Sequence, residues 1–369
     1  MVKDENADAF LRVIEGRRDI DPRFTNLRRV SPTGGDGCFS LVFIAMDNTV
    51  GREVAIKVFR PDRISDTYRF QCFCREAKIL HSLVGTPNIL SWVGHRSEFV
   101  KQLKTDAGIS VPVTFPYFAV ELAVMNVGTV IRDGMWGPEQ KLIGFREMCK
   151  AVQRIRGRRI THRDIKPSNF LVTAEREVKL SDFGAARDLG SVEPPILTDY
   201  GCPPGDTRYA PPEMLALLHD EDPLIALESD IYGLGATLFE LWSGVVLGVQ
   251  IYNRALVTDL ARAMSAVRKS DRIRIFFQFL PNLVSAHPLP AISVFGGDLP
   301  PSIRDMVDEL YRSMAALGYR QRLCDFERIF LRIEQCLLVL RNEEKVQCWR
   351  RRKEIYKCNR DRKRALPIR

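Results

Sequence analysis

The chain of 369 residues lacks three things that would each point to a class of protein. It has no CxxC pair. Its nine cysteines (Cys38, Cys72, Cys74, Cys149, Cys202, Cys324, Cys336, Cys348 and Cys358) are odd in number and irregular in spacing. Neither a zinc site nor a disulfide framework is signalled, and reduced thiols in a cytosolic protein are the plain reading. It has no clean apolar run. The longest, Ile231 to Val249, is interrupted by Glu240 and carries Gly233, Gly235, Gly244 and Gly248, so it suits a buried core helix and not a membrane span. The opening residues, MVKDENADAF, are acidic and not apolar, so no secretory leader is expected. No internal repeat is visible.

The third absence is charge on most of the chain. The net charge is +9, but Arg341 to Arg369 hold twelve Lys or Arg against four Asp or Glu, which leaves +1 for residues 1–340. A nearly neutral body gives no electrostatic case for nucleic-acid binding, and only the tail does. With 45% hydrophobic and 27% charged residues, the composition is that of a globular protein long enough for two packed units.

Patterning along the chain is uneven. Residues 24–60 read as strands, with the runs VFIAM and EVAIKVF separated by the turn-like DNTVG. Residues 66–84 read as a helix, with Phe70, Phe73, Ala77 and Leu80 at three- and four-residue steps. A strand pair is expected between Ile89 and Glu121, with Ser97 to Pro116 as an extended hairpin loop. From about residue 140 the pattern is mostly helical, broken by a loop-rich stretch over 160–213. Residues 250–300 have weak periodicity and their elements are not placed. Strands first and helices later predict a small β-rich part and a larger helical one.

Chemistry concentrates in His162-Arg163-Asp164-Ile165-Lys166-Pro167-Ser168-Asn169, with Asp182-Phe183-Gly184 thirteen residues beyond Asn169. Phosphoryl transfer needs an acceptor hydroxyl aimed at phosphorus and neutralisation of developing charge. Asp164 can accept the hydroxyl proton. Asn169 and Asp182 offer hard oxygen ligands suited to Mg²⁺. Lys166 can place its charge on the transferring group. A structural loop holding these residues in this order by chance is the bland alternative, and eight residues followed by DFG argue against it.

At these residues the chain resembles the eukaryotic-type (Hanks-type) protein kinase family, over about residues 24–340. The wording Ser-Asp-Ile-Tyr-Gly-Leu-Gly-Ala-Thr-Leu from Ser229 resembles bacterial members. The resemblance implies an α+β bilobal fold, with a small β-rich N-lobe (24–120), a hinge (121–125) and a larger, mostly helical C-lobe (126–340). An N-terminal segment (1–23) and a basic tail (341–369) flank it. Lys57 of Val54-Ala55-Ile56-Lys57 would hold the ATP phosphates. Its implied partner is Glu76, with Glu53 and Asp66 as surface alternatives. Gly35-x-Gly37-x-x-Ser40-x-Val42 resembles the phosphate-covering glycine-rich loop, Ser40 standing where a third glycine is usual. Val120 would be a small gatekeeper, backbone groups of Glu121 and Ala123 would bond adenine, and Val42, Ala55 and Leu171 would sandwich the ring. Asn126-Val127 stand where an acidic ribose contact is frequent.

Tyr209-Ala210-Pro211-Pro212-Glu213 resembles the end of the activation segment, with Glu213 pairing Arg322. Asp230 would bond the catalytic-loop backbone. The family usually has Thr three residues before this tyrosine; here that position is Asp206, and a one-residue shift would give the role to Thr207. Thr198 is the expected activation-segment phosphosite, Tyr200 the second choice, with Asp199 or Asp206 as built-in acidic substitutes. Mg-ATP and a protein Ser or Thr are the implied substrates, Lys166 tipping the acceptor towards Ser/Thr. A pseudokinase scaffold, a small-molecule phosphotransferase and a nucleic-acid binder led by its tail are the rival readings. The tail is a solvated segment or a helix docking on an acidic partner or membrane surface.

Overall fold

The computed structural model of the chain describes residues 20–30, 40–60, 66–94, 96–104, 110–191, 203–218 and 222–343, with 345, 352 and 353. The glycines of the expected phosphate loop, Gly35 and Gly37, lie outside the described residues, as do Thr198, Asp199, Tyr200 and nearly all of the tail. Contacts group the chain into two compact units: Met1–Thr129 with Lys150–Asp206, and Val130–Cys149 with Thr207–Arg369.

The first unit is built on a five-stranded antiparallel sheet. Its strands are β1 (Phe24–Arg29), β2 (Ser40–Asp47), β3 (Arg52–Phe59), β4 (Ser97–Lys104) and β5 (Ser110–Glu121), in the order β1-β2-β3-β5-β4. The β2–β3 turn closes at Gly51, whose φ of +66° a side chain would resist. Asp47 starts that turn by accepting from the Thr49 N–H at 2.9 Å, while its buried carboxylate takes a two-pronged bond from Arg23.

Strand alternation then sorts the sheet's two faces. Leu41, Phe43, Val54, Ile56, Val58, Tyr117 and Ala119 form one hydrophobic cluster with Ile20 and Phe24. The opposite parity puts Val42, Ala55, Lys57, Phe118 and Val120 together, because Val42 pairs with Lys57, Lys57 with Phe118 and Ala55 with Val120. Helix α1 (Thr67–Ser82) covers this second face: Phe73 packs on Phe118 with ring centroids 5.0 Å apart. Asp66 caps α1 by accepting from the Arg69 N–H at 3.0 Å.

Within the stretch expected as a loop, Ser97–Lys104 and residues 110–117 form a paired ladder. Its register runs from Ser97↔Tyr117 to Lys104↔Ser110. Pro112 and Pro116 obscured it in the sequence. In this stretch, among the described residues, β5 pairs with β4 alone, an edge position at which proline is tolerated.

After β6 (Met125–Asn126), α2 (Val127–Arg132) and α3 (Pro138–Gly157), short strands carry the loop-rich region. These are β7 (Ile160–Thr161), β8 (Phe170–Val172), β9 (Val178–Leu180) and β10 (Arg187–Asp188), forming the sheets β10-β7 and β6-β8-β9. The second unit is helical: α4 (Pro212–Leu215), α5 (Pro223–Ser243), α6 (Leu247–Ile251), α7 (Arg254–Ser265), α8 (Lys269–Ala286), α9 (Arg304–Met314) and α10 (Phe326–Arg341). The run read as a core helix is α5, buried from Ser229 to Phe239 and ended by Gly244 at φ +73°. Residues 250–300 hold α7 and α8, and Pro281 inside α8 is one reason their period was faint. A β-rich unit and a helical unit realise the α+β class expected.

Candidate active site

The implied phosphate lysine and its partner meet inside the first unit. Lys57 on β3 and Glu76 on α1 form an ion pair at 2.5 Å, with side chains 14% and 4% exposed. Glu76 shares the buried face of α1 with Cys72, Phe73, Ala77 and Leu80. Glu53, one of the alternatives, bonds Arg28 at the surface, and Asp66 is the α1 cap. Burial pushes the Glu76 carboxyl up to about 7, against the pull of Lys57. Burial alone would lower Lys57, but the carboxylates of Glu76 and Asp182 outweigh it and hold the ammonium above its ordinary value.

The loop after β7 is tied internally. Asn169 donates from Nδ2 to the Asp164 carbonyl at 2.7 Å and to Asp164 Oδ2 at 3.0 Å. Lys166 Nζ lies 2.9 Å from that same Oδ2. Pro167–Asn169 form a single 3₁₀ turn that carries Asn169 back towards Asp164. Ser181 then holds Asn169 from the other side, its N–H and its hydroxyl each donating to the Asn169 carbonyl at 2.9 Å. This sets Asp182, the next residue, beside Asn169.

Asp182 and Arg163 both adopt left-handed backbone, at φ 62°, which is uncommon for residues with a side chain. The surroundings enforce both. His162 is fully buried, with Nε2 on the Ser181 carbonyl at 2.9 Å and its ring edge-on to Phe183. Arg163 donates from Nε to the Ala185 carbonyl at 2.8 Å, and Arg75 of α1 donates to the Gly184 carbonyl at 3.0 Å. Non-glycine left-handed residues held this way concentrate at functional sites.

The residues expected to form the hinge are anchored more firmly than their apolar wording suggested. The Glu121 N–H donates to the Ser91 carbonyl at 2.9 Å, so that N–H is taken and cannot serve a ligand. The Ser91 N–H in turn donates to Glu121 Oε1 at 2.8 Å, and Lys179 of β9 pairs with Glu121 Oε2 at 2.8 Å. Val124 donates to the Val172 carbonyl at 2.9 Å, tying the hinge to β8. Val42, Ala55 and Val120 lie on the Lys57 face of the sheet, as described; Leu171 is on β8 and Ala123 follows β5. Asn126 caps α2, its Oδ1 accepting from the Thr129 N–H at 2.9 Å.

In the second unit Arg322 grips Glu213 with two bonds, of 2.5 and 3.0 Å, both side chains being fully enclosed. Three residues escaped the sequence reading: Arg75, Lys179 and, as a contact of Asp164, Asp206. Only Lys179 had a visible signal, as the one polar residue between Val178 and Leu180 in a strand leading into Asp182.

Among the described residues no helix is long and apolar enough to cross a membrane, and Cys72, Cys74, Cys149, Cys324 and Cys336 are not joined in disulfides. The family model for the protein kinase domain matches residues 29–310. The chain is 28% identical over 298 residues to the serine/threonine-protein kinase PknA of Mycobacterium tuberculosis, covering 80% of this chain and 58% of that protein. It is 30% identical over 229 residues to the serine/threonine-protein kinase PrkC of Bacillus subtilis, covering 62% and 31%. The chain thus spans less than two thirds of the length of these relatives. The matched span holds Lys57, Glu76, Asp164, Asn169 and Asp182 in the geometry above, and the chain belongs to the protein kinase family.

Proposed function

We propose that the chain is an ATP-dependent protein kinase acting on Ser or Thr hydroxyls. The observation that carries this is the simultaneous assembly of Lys57 on Glu76 and of Asp164 on Asn169 and Lys166. Lys57 keeps donors for phosphate oxygens while Glu76 aims it. The acceptor oxygen bonds to the γ-phosphorus as the bond from that phosphorus to the bridging oxygen breaks, and ADP leaves. The hydroxyl proton passes to the Asp164 carboxylate, which Asn169 holds in orientation. Lys166 balances charge on the transferring group.

Asn169 and Asp182 fit a Mg²⁺ ion. Both Nδ2 bonds of Asn169 go to Asp164, which leaves its carboxamide oxygen as a hard donor, and Ser181, bonded to the Asn169 carbonyl, leads directly into Asp182. Mg²⁺, when held there by Asn169 and Asp182, would offset the charge of the phosphates. Adenine would lie between Val42 and Ala55 on one side and Leu171 on the other, next to Val120, with the Glu121 carbonyl and Ala123 backbone as hydrogen-bonding groups. Gly35 and Gly37 would cover the phosphates. We take residues 24–340 as the kinase domain, divided at a hinge of 121–125, and place it in the cytoplasm, where ATP and reduced thiols are found.

Transfer of radiolabelled γ-phosphate to a Ser/Thr substrate or to the protein itself is the test. Asp164→Asn and Asp182→Ala should each cost on the order of a thousandfold in rate with an unchanged unfolding midpoint. Full activity in either purified variant defeats the assignment.

A further inference from the structure

The turn that presents Asp182 is held from its far end. Phe183–Ala185 form one 3₁₀ turn, and Asp182 stands at its head in left-handed backbone, at φ 62° and ψ 65°. A carboxylate at the head of a helical turn ordinarily caps it by accepting a backbone N–H. Asp182 makes no such capping bond, so its oxygens are not spent in that way. The carbonyl end supplies the hold instead. The Phe183 carbonyl accepts from the Ala186 N–H at 3.0 Å. The next two carbonyls fall at the end of the turn, where a helical segment leaves its acceptors unsatisfied from within. A guanidinium receives each: Arg163 donates from Nε to the Ala185 carbonyl at 2.8 Å, and Arg75 donates from Nη1 to the Gly184 carbonyl at 3.0 Å.

The two arginines come from different places. Arg163 adjoins Asp164, so its bond ties the turn to the loop that holds the other reacting groups. Arg75 lies on α1, next to Glu76 and 109 residues before Gly184. One helix therefore carries, on consecutive residues, the carboxylate that pairs with Lys57 at 2.5 Å and the guanidinium that grips the Asp182 turn. A hydrogen bond with one charged partner is about twice as strong as a neutral one, and this one is partly buried. We infer that Arg75 is a positioning residue: through the Gly184 carbonyl it sets the turn that aims Asp182, so that α1 governs the metal end of the nucleotide site as well as its Lys57 end. This rests on the kinase reading above and adds a residue to its machinery.

An Arg75 that merely fastens α1 to the chain beneath it is the competing view. Such a fastener, once removed, weakens nucleotide binding with and without metal alike. A residue acting through Asp182 weakens only what the metal contributes. The experiment compares wild type, Arg75→Met and Arg75→Lys. Met keeps an apolar stem and removes every donor, whereas Lys keeps a charge and a donor. A non-hydrolysable ATP analogue is titrated calorimetrically in excess Mg²⁺ and again in EDTA. Binding of Mn²⁺ to the complex with ADP is followed by electron paramagnetic resonance, and the unfolding midpoint is recorded for each protein. Arg75→Met should lower Mn²⁺ affinity, and analogue affinity in Mg²⁺, by about tenfold, with affinity in EDTA within about twofold of wild type. Arg75→Lys should come within about threefold of wild type in both metal-dependent readouts. If Arg75→Met is too unstable to titrate, Arg75→Gln, neutral and two atoms shorter, takes its place with the same expected loss. Equal losses with and without metal, or no loss in either, overturn the inference and leave the kinase reading standing. Wild type that binds neither the analogue nor Mn²⁺ with ADP, and transfers no phosphate, brings down the kinase reading and this inference with it.

Discussion

Two buried ion pairs in this protein are built to opposite specifications. Arg322 and Glu213 are both fully enclosed, and four of the guanidinium's five N–H donors are used: two in bonds to Glu213, one of 2.9 Å to the Glu228 carbonyl, one of 2.8 Å to the Ala316 carbonyl, with the Tyr232 ring 5.2 Å away. Lys57 and Glu76 are tied by one short contact, with Asp182 adding a second negative charge in range. The first pair is held by several bonds at once and is closed to solvent. The second leaves a three-donor ammonium beside excess negative charge, which suits a group that must exchange partners when phosphate and metal arrive. Arg suits the planar, multiply bonded role and Lys the rotating one.

That contrast predicts different failures. Lys57→Met and Glu76→Gln should each reduce phosphoryl transfer by on the order of a thousandfold. The double variant should lose little more, because residues acting as a unit are non-additive. The unfolding midpoint should move little. Glu213→Ala should do the reverse: it strands a buried guanidinium and should cost about 3–5 kcal/mol of stability. Calorimetric or denaturant unfolding of all four proteins, alongside the transfer assay, checks both halves. Additive losses for Lys57 and Glu76, or an unfolding midpoint unmoved in Glu213→Ala, would erase the distinction between the pairs.

The same contrast carries a pH signature. Glu76 is raised from 4.5 to about 7 in the folded protein. Below about pH 7 it takes up a proton, the ion pair with Lys57 is lost, and kcat/KM for ATP should fall. Stability runs the other way. A carboxyl raised by folding binds protons more tightly in the native than in the unfolded chain, so its contribution to stability declines as pH rises from about 4.5 to about 7. Activity should thus climb over a range where this group's contribution to stability drops. Glu76→Gln should abolish the climb near 7, leaving a low, flatter profile. A wild-type profile without a rise in that range would show that Glu76 does not control the aim of Lys57.

How far the sequence reached follows from the range of each signal. Lys57 and Glu76 were reached through the family resemblance, and for Glu76 local helical periodicity agreed, since it shares a face with Phe73 and Leu80. Asp164, Lys166 and Asn169 lie in one short run and bond one another, so their spacing nearly dictates their geometry. Glu213 and Arg322 are 109 residues apart, and family resemblance, not periodicity, linked them. The β4–β5 ladder hid behind two prolines, although Phe99, Phe115 and Tyr117 join the packed cluster of the sheet. Lys179 and Glu121 hid for a different cause: they are 58 residues apart, on strands of different sheets, and nothing in either segment names the other. Asp206 was read as a departure or as a phosphate substitute, whereas its N–H bonds Asp164 and its carboxylate lies 3.9 Å from Lys166; backbone proximity of Gly205 to residue 164 has no signature in a one-dimensional pattern.

Lys179 and Glu121 also offer the finest test, because this pair lies between the two extremes. Its side chains are 13% and 17% exposed, and Lys179 is shared with Glu177 at 3.1 Å. Burial lowers the Lys179 ammonium, but its bonds to Glu121 and Glu177 more than compensate and keep it raised. The pair does not bear on phosphate. It holds the main chain of Glu121 through a closed set: Glu121 N–H to Ser91, Ser91 N–H back to the Glu121 carboxylate, and that carboxylate to Lys179. If the Glu121 carbonyl receives adenine, loosening this set should weaken nucleotide binding without touching the transfer step. Partly exposed pairs are worth about 0.2–1 kcal/mol, so Lys179→Met and Glu121→Gln should each weaken a non-hydrolysable ATP analogue by about two- to fivefold in titration calorimetry. The turnover rate at saturating ATP should stay within about twofold, since the loss is uniform in ground and transition states. The exchanged pair, Lys179→Glu with Glu121→Lys, should regain part of the affinity, because the charges still meet across β5 and β9. Equal affinity in wild type and both single variants would mean that Ser91 alone holds the hinge; a loss confined to turnover would move Lys179 from adenine to the chemistry of Asp182.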